Sequence, residues 1–163
     1  MPIALPSVLQ LSSLTPWVWM EISGQQTRVV YAQMGVPVQE RVLSIGTGQL
    51  GNGPFRSVPP SALALENAIA SVEDVVMPLV KVLPQQARFF ASSEGLSATL
   101  GAQTLELAQL EDLFNDLAAC VQGRPFRTDD LIVQPGGAAQ LLILREAMHH
   151  LSFDRVEVLQ AER

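Results

Sequence analysis

A mixed α/β fold, in which a three-strand antiparallel meander is extended by parallel strands and helices pack on the mixed sheet, is predicted by three observations. Three short runs rich in β-branched and aromatic residues follow one another between residues 17 and 45 across short turns, which is the pattern of a meander. Downstream, three longer stretches carry apolar residues at spacings of three and four, the period of a helix buried on one face. Two further compact strands, Arg88–Ser92 and Asp154–Leu159, are interleaved with them. The resulting order, β-β-β-α-β-α-α-β, fits a three-layer arrangement.

The first two runs are Trp17–Ile22 and Thr27–Ala32, separated by Ser23-Gly24-Gln25-Gln26. This is a hairpin signal, with Gly24 expected to supply the positive φ of a tight turn. Gly35-Val36-Pro37 turns the chain into a third run, Glu40–Ile45. After a glycine-rich segment, Gly46 to Gly53, the string Pro59-Pro60-Ser61 opens a long helix, since proline near the first helical position sacrifices no hydrogen bond. Leu65, Ile69, Val72, Val76 and Leu79 or Val80 form its apolar stripe, and Pro78 bends or ends it. Thr104 is read as the cap of a second helix, with Leu105, Leu107, Leu110, Leu113, Phe114 and Leu117 buried and Gly123 as its stop. A third runs from about Gly137 to Leu151.

With 163 residues the chain can hold one domain with a full core. Residues 1–16 are expected to be an N-terminal extension and 17–163 the domain. Hydrophobic residues make up 48% and charged residues 16%, which excludes a disordered chain. The uncharged stretch Met1 to Met20 is broken by Pro2, Pro6 and Pro16, so it reads neither as a membrane span nor as a secretory signal. A cytoplasmic location is the default expectation. The net charge of −6 argues against a nucleic-acid or anionic-membrane surface. Lys81 is the single lysine and Cys120 the single cysteine; Cys120 falls within an apolar pattern and is expected to be a small buried hydrophobe.

Gly46-Thr47-Gly48-Gln49-Leu50-Gly51 is a literal G-x-G-x-x-G after a strand. Dinucleotide chemistry would need its third glycine in the first turn of a helix facing a pyrophosphate. Asn52-Gly53-Pro54 and Pro59-Pro60 intervene, so the helix is expected to start past the glycines, and a bend or loop is the preferred reading. Dinucleotide binding stays as a weaker alternative. Glu146-x-x-His149 has a spacing that places two metal ligands on one helical face, but a dimetal carboxylate site needs a second copy and none exists. His149 and His150 are instead expected near a helix C-terminus, one half-buried and one solvated.

Taken together, the segments resemble the second lobe of the exopolyphosphatase and guanosine pentaphosphate phosphohydrolase family, within the actin-like ATPase superfamily. Glu21-Ile22-Ser23-Gly24-Gln25-Gln26-Thr27-Arg28 resembles the family's Asp-Ile-Gly-Gly-Gly-Ser-Thr-Glu phosphate turn, and Ile45-Gly46-Thr47-Gly48-Gln49-Leu50 its Leu-Gly-Ala-Val-Arg-Leu strand. Glu94-Gly95-Leu96-Ser97-Ala98-Thr99-Leu100 is similar to Gly-Gly-Thr-Ala-Thr-Thr-Leu, and Pro135–Leu144 through Val156-Glu157-Val158 to the last helix and strand. The resemblance implies a ribonuclease-H-like fold. It also implies phosphate or ligand contacts at Gly24, Gln25, Gln26 and Thr27 on the first turn, and at Ser93, Glu94 and Gly95 on the second.

Departures from that pattern weaken the catalytic implication. Only Gly24 survives of the three glycines that let backbone N–H groups approach a phosphate. Glu21 stands where an aspartate would help hold a metal ion, and Glu94 places negative charge where a phosphate would approach. The family's first lobe and its terminal Arg-Glu-Gly segment have no counterpart in this sequence. The expectation is therefore a non-catalytic binding or assembly module without a cofactor, whose lobe-facing surface is covered by a homodimer or partner chain. The alternative is a phosphoanhydride hydrolase completed by a separate first lobe, which would bring Mg²⁺ with its phosphate substrate.

Overall fold

The computed structural model describes residues 5–10, 15–100 and 103–160. The meander forms as its pattern predicts, from β1 (Trp17–Ile22), β2 (Thr27–Gln33) and β3 (Val36–Leu43). The third strand starts four residues earlier than the sequence suggests, immediately after Gly35, whose φ of 77° makes the turn. Gly24 is not in the left-handed region, so the positive φ expected there belongs to Gly35 alone in the meander.

β4 (Arg88–Ser93) lies parallel to β1, with Trp17 opposite Arg88 and Ile22 opposite Ser93. β6 (Arg155–Leu159) lies parallel to β4 in turn. A sixth strand, β5 (Thr104–Glu106), pairs antiparallel with β6, giving the sheet order β3-β2-β1-β4-β6-β5. Thr104 therefore does not cap a helix. Three residues of edge strand precede α5 (Leu107–Val121), whose N-cap is Glu106 in a reciprocal capping box with Gln109. Leu105 is buried as a strand residue opposite Val156.

The layers on the two sides of the sheet are unequal. One face packs against α3 (Ala62–Val76), α5 and α6 (Gly137–Leu151), with Val18, Met20, Ile22, Val29, Phe89, Ala91, Val156 and Val158 facing them. Ser61 caps α3 by accepting from the Ala64 N–H at 3.1 Å. Helix α6 lies between α3 and α5 and is apolar nearly all round. Leu141, Leu142, Ile143, Leu144, Ala147 and Met148 are each buried, and the larger ones contribute about 1.5–3 kcal/mol apiece. The opposite face gathers Trp17, Trp19, Val30 and Phe90 against Leu5 and Leu9, the latter in the short helix α1 (Ser7–Gln10). Described residues of the first sixteen are thus seated on the sheet. Among the described residues no helix is long and apolar enough to cross a membrane.

Two short helices lie outside the sequence expectation. α4 (Leu96–Leu100) follows β4 directly. α2 (Thr47–Asn52) begins at once after Gly46, so a helix does start within the G-x-G-x-x-G string, contrary to the expectation that it could not.

Candidate functional site

The site predicted from the sequence lies where β1 and β4 end. Because Ile22 pairs with Ser93, the turn Ser23–Gln26 and the turn Ser93-Glu94-Gly95 leave the sheet side by side. Ligands of open α/β sheets bind at such carboxyl ends of parallel strands. The N-termini of α2 and α6 reach the same end: Gly136, which precedes α6, approaches Thr47 closely, and Gln140 of α6 contacts the second turn.

At the first turn, Gly24, Gln25 and Gln26 are exposed, but its backbone is bound inward. The Ser23 N–H donates to the Gln26 carbonyl at 3.0 Å, and the Gln26 N–H donates to Ser23 Oγ at 3.3 Å. The carbonyls of Ser23 and Gly24 accept from the N–H groups of Thr47 and Gly48 at 2.9 and 2.8 Å. These two donors open α2, so the anion-attracting end of that helix is already occupied by the turn. Thr27 is fully buried, and its hydroxyl donates to the Ile45 carbonyl at 2.8 Å.

This docking explains the glycines that the sequence pattern suggests are a bend or loop. A Cβ on Gly46 would sit 2.6 Å from the Ser23 oxygen and 2.7 Å from the Gln26 nitrogen and the Gly24 oxygen; one on Gly48 would sit 2.8 Å from the Gly24 oxygen. The first two glycines of the string are a seat for the hairpin turn. Sequence reasoning missed this because the partner lies more than twenty residues upstream, though two bare glycines after a strand were the available signal.

Glu21 projects, by strand alternation, onto the face that carries Trp17 and Trp19. Its Oε2 accepts from Arg28 Nε at 2.9 Å and Nη2 at 2.8 Å. The same guanidinium lies 5.0 Å over the Trp19 ring and 3.5 Å from Glu40. A metal ion is implied here by the resemblance, but the carboxylate that would hold it is already paired with the Arg28 guanidinium. The residues at the first turn do not fit that ion.

The second turn is built differently. Ser93 is buried, while Glu94 and Gly95 are exposed and line an open cleft of about 810 Å³ with Leu159 and Gln160. Gly95 has a φ of 73°, which turns the chain into α4. Gln140 Nε2 donates to Ser93 Oγ at 3.0 Å and to the Glu94 carbonyl at 2.8 Å. Gln140 is 5% exposed, and its Oε1 has no hydrogen-bond partner among the described residues, an unusual state for a buried amide oxygen. Nothing in the sequence singles out Gln140, which falls in an otherwise apolar run.

Beneath α6, the loop after α5 is anchored by Asp130. Its carboxylate accepts from Arg124 Nη1 and Nη2 at 3.1 Å and from the Arg127 N–H at 2.6 Å, and these contacts hold its pKa down at about 2. Cys120 is buried as expected, 3.7 Å from that carboxylate, and burial pushes its thiol pKa up.

The mixed six-strand sheet with helices packed on it has a ribonuclease-H-like fold, the kind that lobes of actin-like ATPases share. Within that class its likeness is to the Ppx/GppA exopolyphosphatases. The Aquifex aeolicus PPX-GPPA enzyme superposes with a TM-score of 0.69 at 16% identity, over 93% of this chain and 55% of that one. An exopolyphosphatase-like protein gives 0.68 at 14% identity over 94% and 59%. An exopolyphosphatase from Cytophaga hutchinsonii gives 0.64 at 12% identity over 94% and 56%. The chain thus spans little more than half the length of the structures it matches. No protein-family model matches the sequence, and comparison with curated proteins returns no match.

Proposed function

We propose that this chain is a non-hydrolysing lobe of exopolyphosphatase-like fold that works as a binding or assembly module, through a homodimer or a partner chain. The Glu21–Arg28 pair carries this reading, because it leaves the first turn without a free carboxylate for a metal-bound phosphate. The inward hydrogen bonds of Ser23 and Gly24 support it. Charge placement at both sides of the phosphate is what phosphoryl transfer requires, and Glu94 adds negative charge at the second turn. Assembly is supported by the outer strand β3, which exposes Val36, Val38 and Val42, with Met34 exposed just before it; an apolar edge strand of this kind invites pairing. Phosphate release from polyphosphate or guanosine pentaphosphate with Mg²⁺ is expected to stay at the blank rate. Light scattering after size exclusion is expected to give about twice 17.6 kDa or a stoichiometric heterocomplex; a monodisperse monomer that recruits no partner overturns the assembly half.

A second reading is favoured by Gln140. Its Nε2 holds the turn that lines the cleft at Ser93-Glu94-Gly95, and its buried Oε1, without a partner among the described residues, suits an ordered water or ligand hydroxyl, as it would in a lobe completed by a separate first lobe to form a phosphoanhydride hydrolase. Phosphate release that appears only when such a lobe is added would select this reading over the first.

A further inference from the structure

The opposite end of α6 carries a cluster of ligating side chains that neither turn uses. Glu146, 1% exposed, and His150 lie one helical turn apart on α6, and Glu73 reaches them from α3. His150 Nε2 is 3.1 Å from Glu73 Oε1 and 3.3 Å from Glu146 Oε2, and the three ligand atoms all lie within 4.8 Å of one another. His150 is ten residues beyond Gln140, roughly 15 Å along the helix from the second turn.

A single imidazole nitrogen faces two carboxylate oxygens here. It carries at most one proton, so as a donor it can serve only one of them well. A metal ion between the three atoms would serve all of them. Bonds of about 2.0–2.2 Å to nitrogen and carboxylate oxygen in a tetrahedral site place neighbouring ligands about 3.4 Å apart, close to the two spacings observed.

The surroundings fit the same chemistry. The other oxygen of Glu146 accepts from Arg145 Nη1, and Arg145 is itself held by Glu111 through Nε and Nη2 at 3.0–3.2 Å. This chain fixes Glu146 with Oε2 turned toward His150, as an outer shell orients a metal ligand. Glu73, Glu111 and Glu146 against Arg145 leave two negative charges around the imidazole, which a dication balances. His150 also lines a groove of about 600 Å³ at the starts of β4 and β6, and Glu73 is partly exposed, so an ion and a completing water have a way in.

We propose that Glu73, Glu146 and His150 form a site for a transition-metal dication of the zinc class, tying α3 to the C-terminal turn of α6. The imidazole ligand selects against magnesium and calcium, which favour all-oxygen shells. The inference is independent of the functional reading above. It also reassigns the Glu-x-x-His spacing seen in the sequence, because Glu146 works with His150 and not with His149, whose Nδ1 lies 3.9 Å from Glu111.

The test is calorimetric titration of chelator-treated chain with zinc chloride, paired with cobalt(II) loading read by visible absorption. One equivalent of zinc is expected to bind, cobalt to show four-coordinate ligand-field bands, and the melting temperature to rise with zinc. His150→Ala and the more exposed Glu73→Gln should each weaken zinc binding at least about tenfold, with circular dichroism verifying the fold, while His149→Ala should leave it unchanged. Absence of a one-to-one complex at millimolar zinc overturns the proposal in the wild-type chain alone. So does binding that survives both Glu73→Gln and His150→Ala, or that depends on His149.

Discussion

The two turns that leave the sheet side by side occupy equivalent places yet use their polar groups in opposite ways. At Ser23–Gln26 two carbonyls are spent on the N-terminus of α2 and Ser23 and Gln26 bond each other, while the neighbouring carboxylate, Glu21, is paired with Arg28. At Ser93–Gly95 the turn is held from one side by Gln140, whose buried Oε1 has no partner among the described residues, and the turn itself lines an open cleft. The difference teaches that one scaffold can set two turns side by side at its strand ends while the polar groups of one turn inward. Backbone donors and acceptors that satisfy the protein are no longer presented to a ligand.

The largest effect is expected at the seat of the closed turn. Gly46→Ala drives a Cβ to within 2.6–2.7 Å of three backbone atoms and should cost about 3 kcal/mol in urea unfolding. A loss below about 1 kcal/mol would mean that the turn is loosely seated and can open. At the second turn, Gln140→Met keeps the volume but leaves Ser93 Oγ and the Glu94 carbonyl without their donor, for an expected loss of about 2 kcal/mol. Gly95→Ala should cost about 1 kcal/mol in the same assay from its left-handed backbone. Gly24→Ala, which meets nothing within 4 Å and needs no positive φ, should stay within about 0.5 kcal/mol. If Gly24→Ala proved the most damaging of these, the contrast between the turns would be reversed.

Acid sharpens the comparison from the other side, since Asp130 anchors the loop that delivers α6 and Gln140 to the second turn. Its pKa of about 2 lies below the ordinary value of 3.8. The unfolded chain therefore binds the proton first, and stability contributed by this group is intact above about pH 4 and lost as pH falls toward 2. Asp130→Asn should flatten that part of the acid unfolding curve, followed by circular dichroism.

Much of the fold was legible. The β-branched and aromatic runs Trp17–Ile22 and Thr27–Ala32 and the apolar periods of α3 and α6 are local signals, and each element formed close to its predicted limits. What was not legible is tertiary. Helix α2 is six residues rich in glycine, poor helix formers on their own; its first donors are satisfied by a turn more than twenty residues away. β5 is three residues long and exists by pairing with β6, fifty residues downstream. The turns that carry Gly24–Thr27 and Ser93–Gly95 follow neighbouring strand ends, as their order along the chain implied. Their use was not legible, because the Arg28 guanidinium on Glu21 and the Gln140 amide on Ser93 are contacts between elements.

Amide chemical shifts of the labelled chain, followed during titration with tripolyphosphate and Mg²⁺, test the central claim most directly. The inward-bound first turn predicts that the N–H resonances of Gly24, Gln25, Gln26 and Thr27 stay in place, with any saturable shift confined to Ser93–Gly95 and Gln140. Saturable shifts at Gly24 to Gln26 that vanish in Glu21→Gln would contradict it, because they would show a working phosphate cradle with its metal carboxylate.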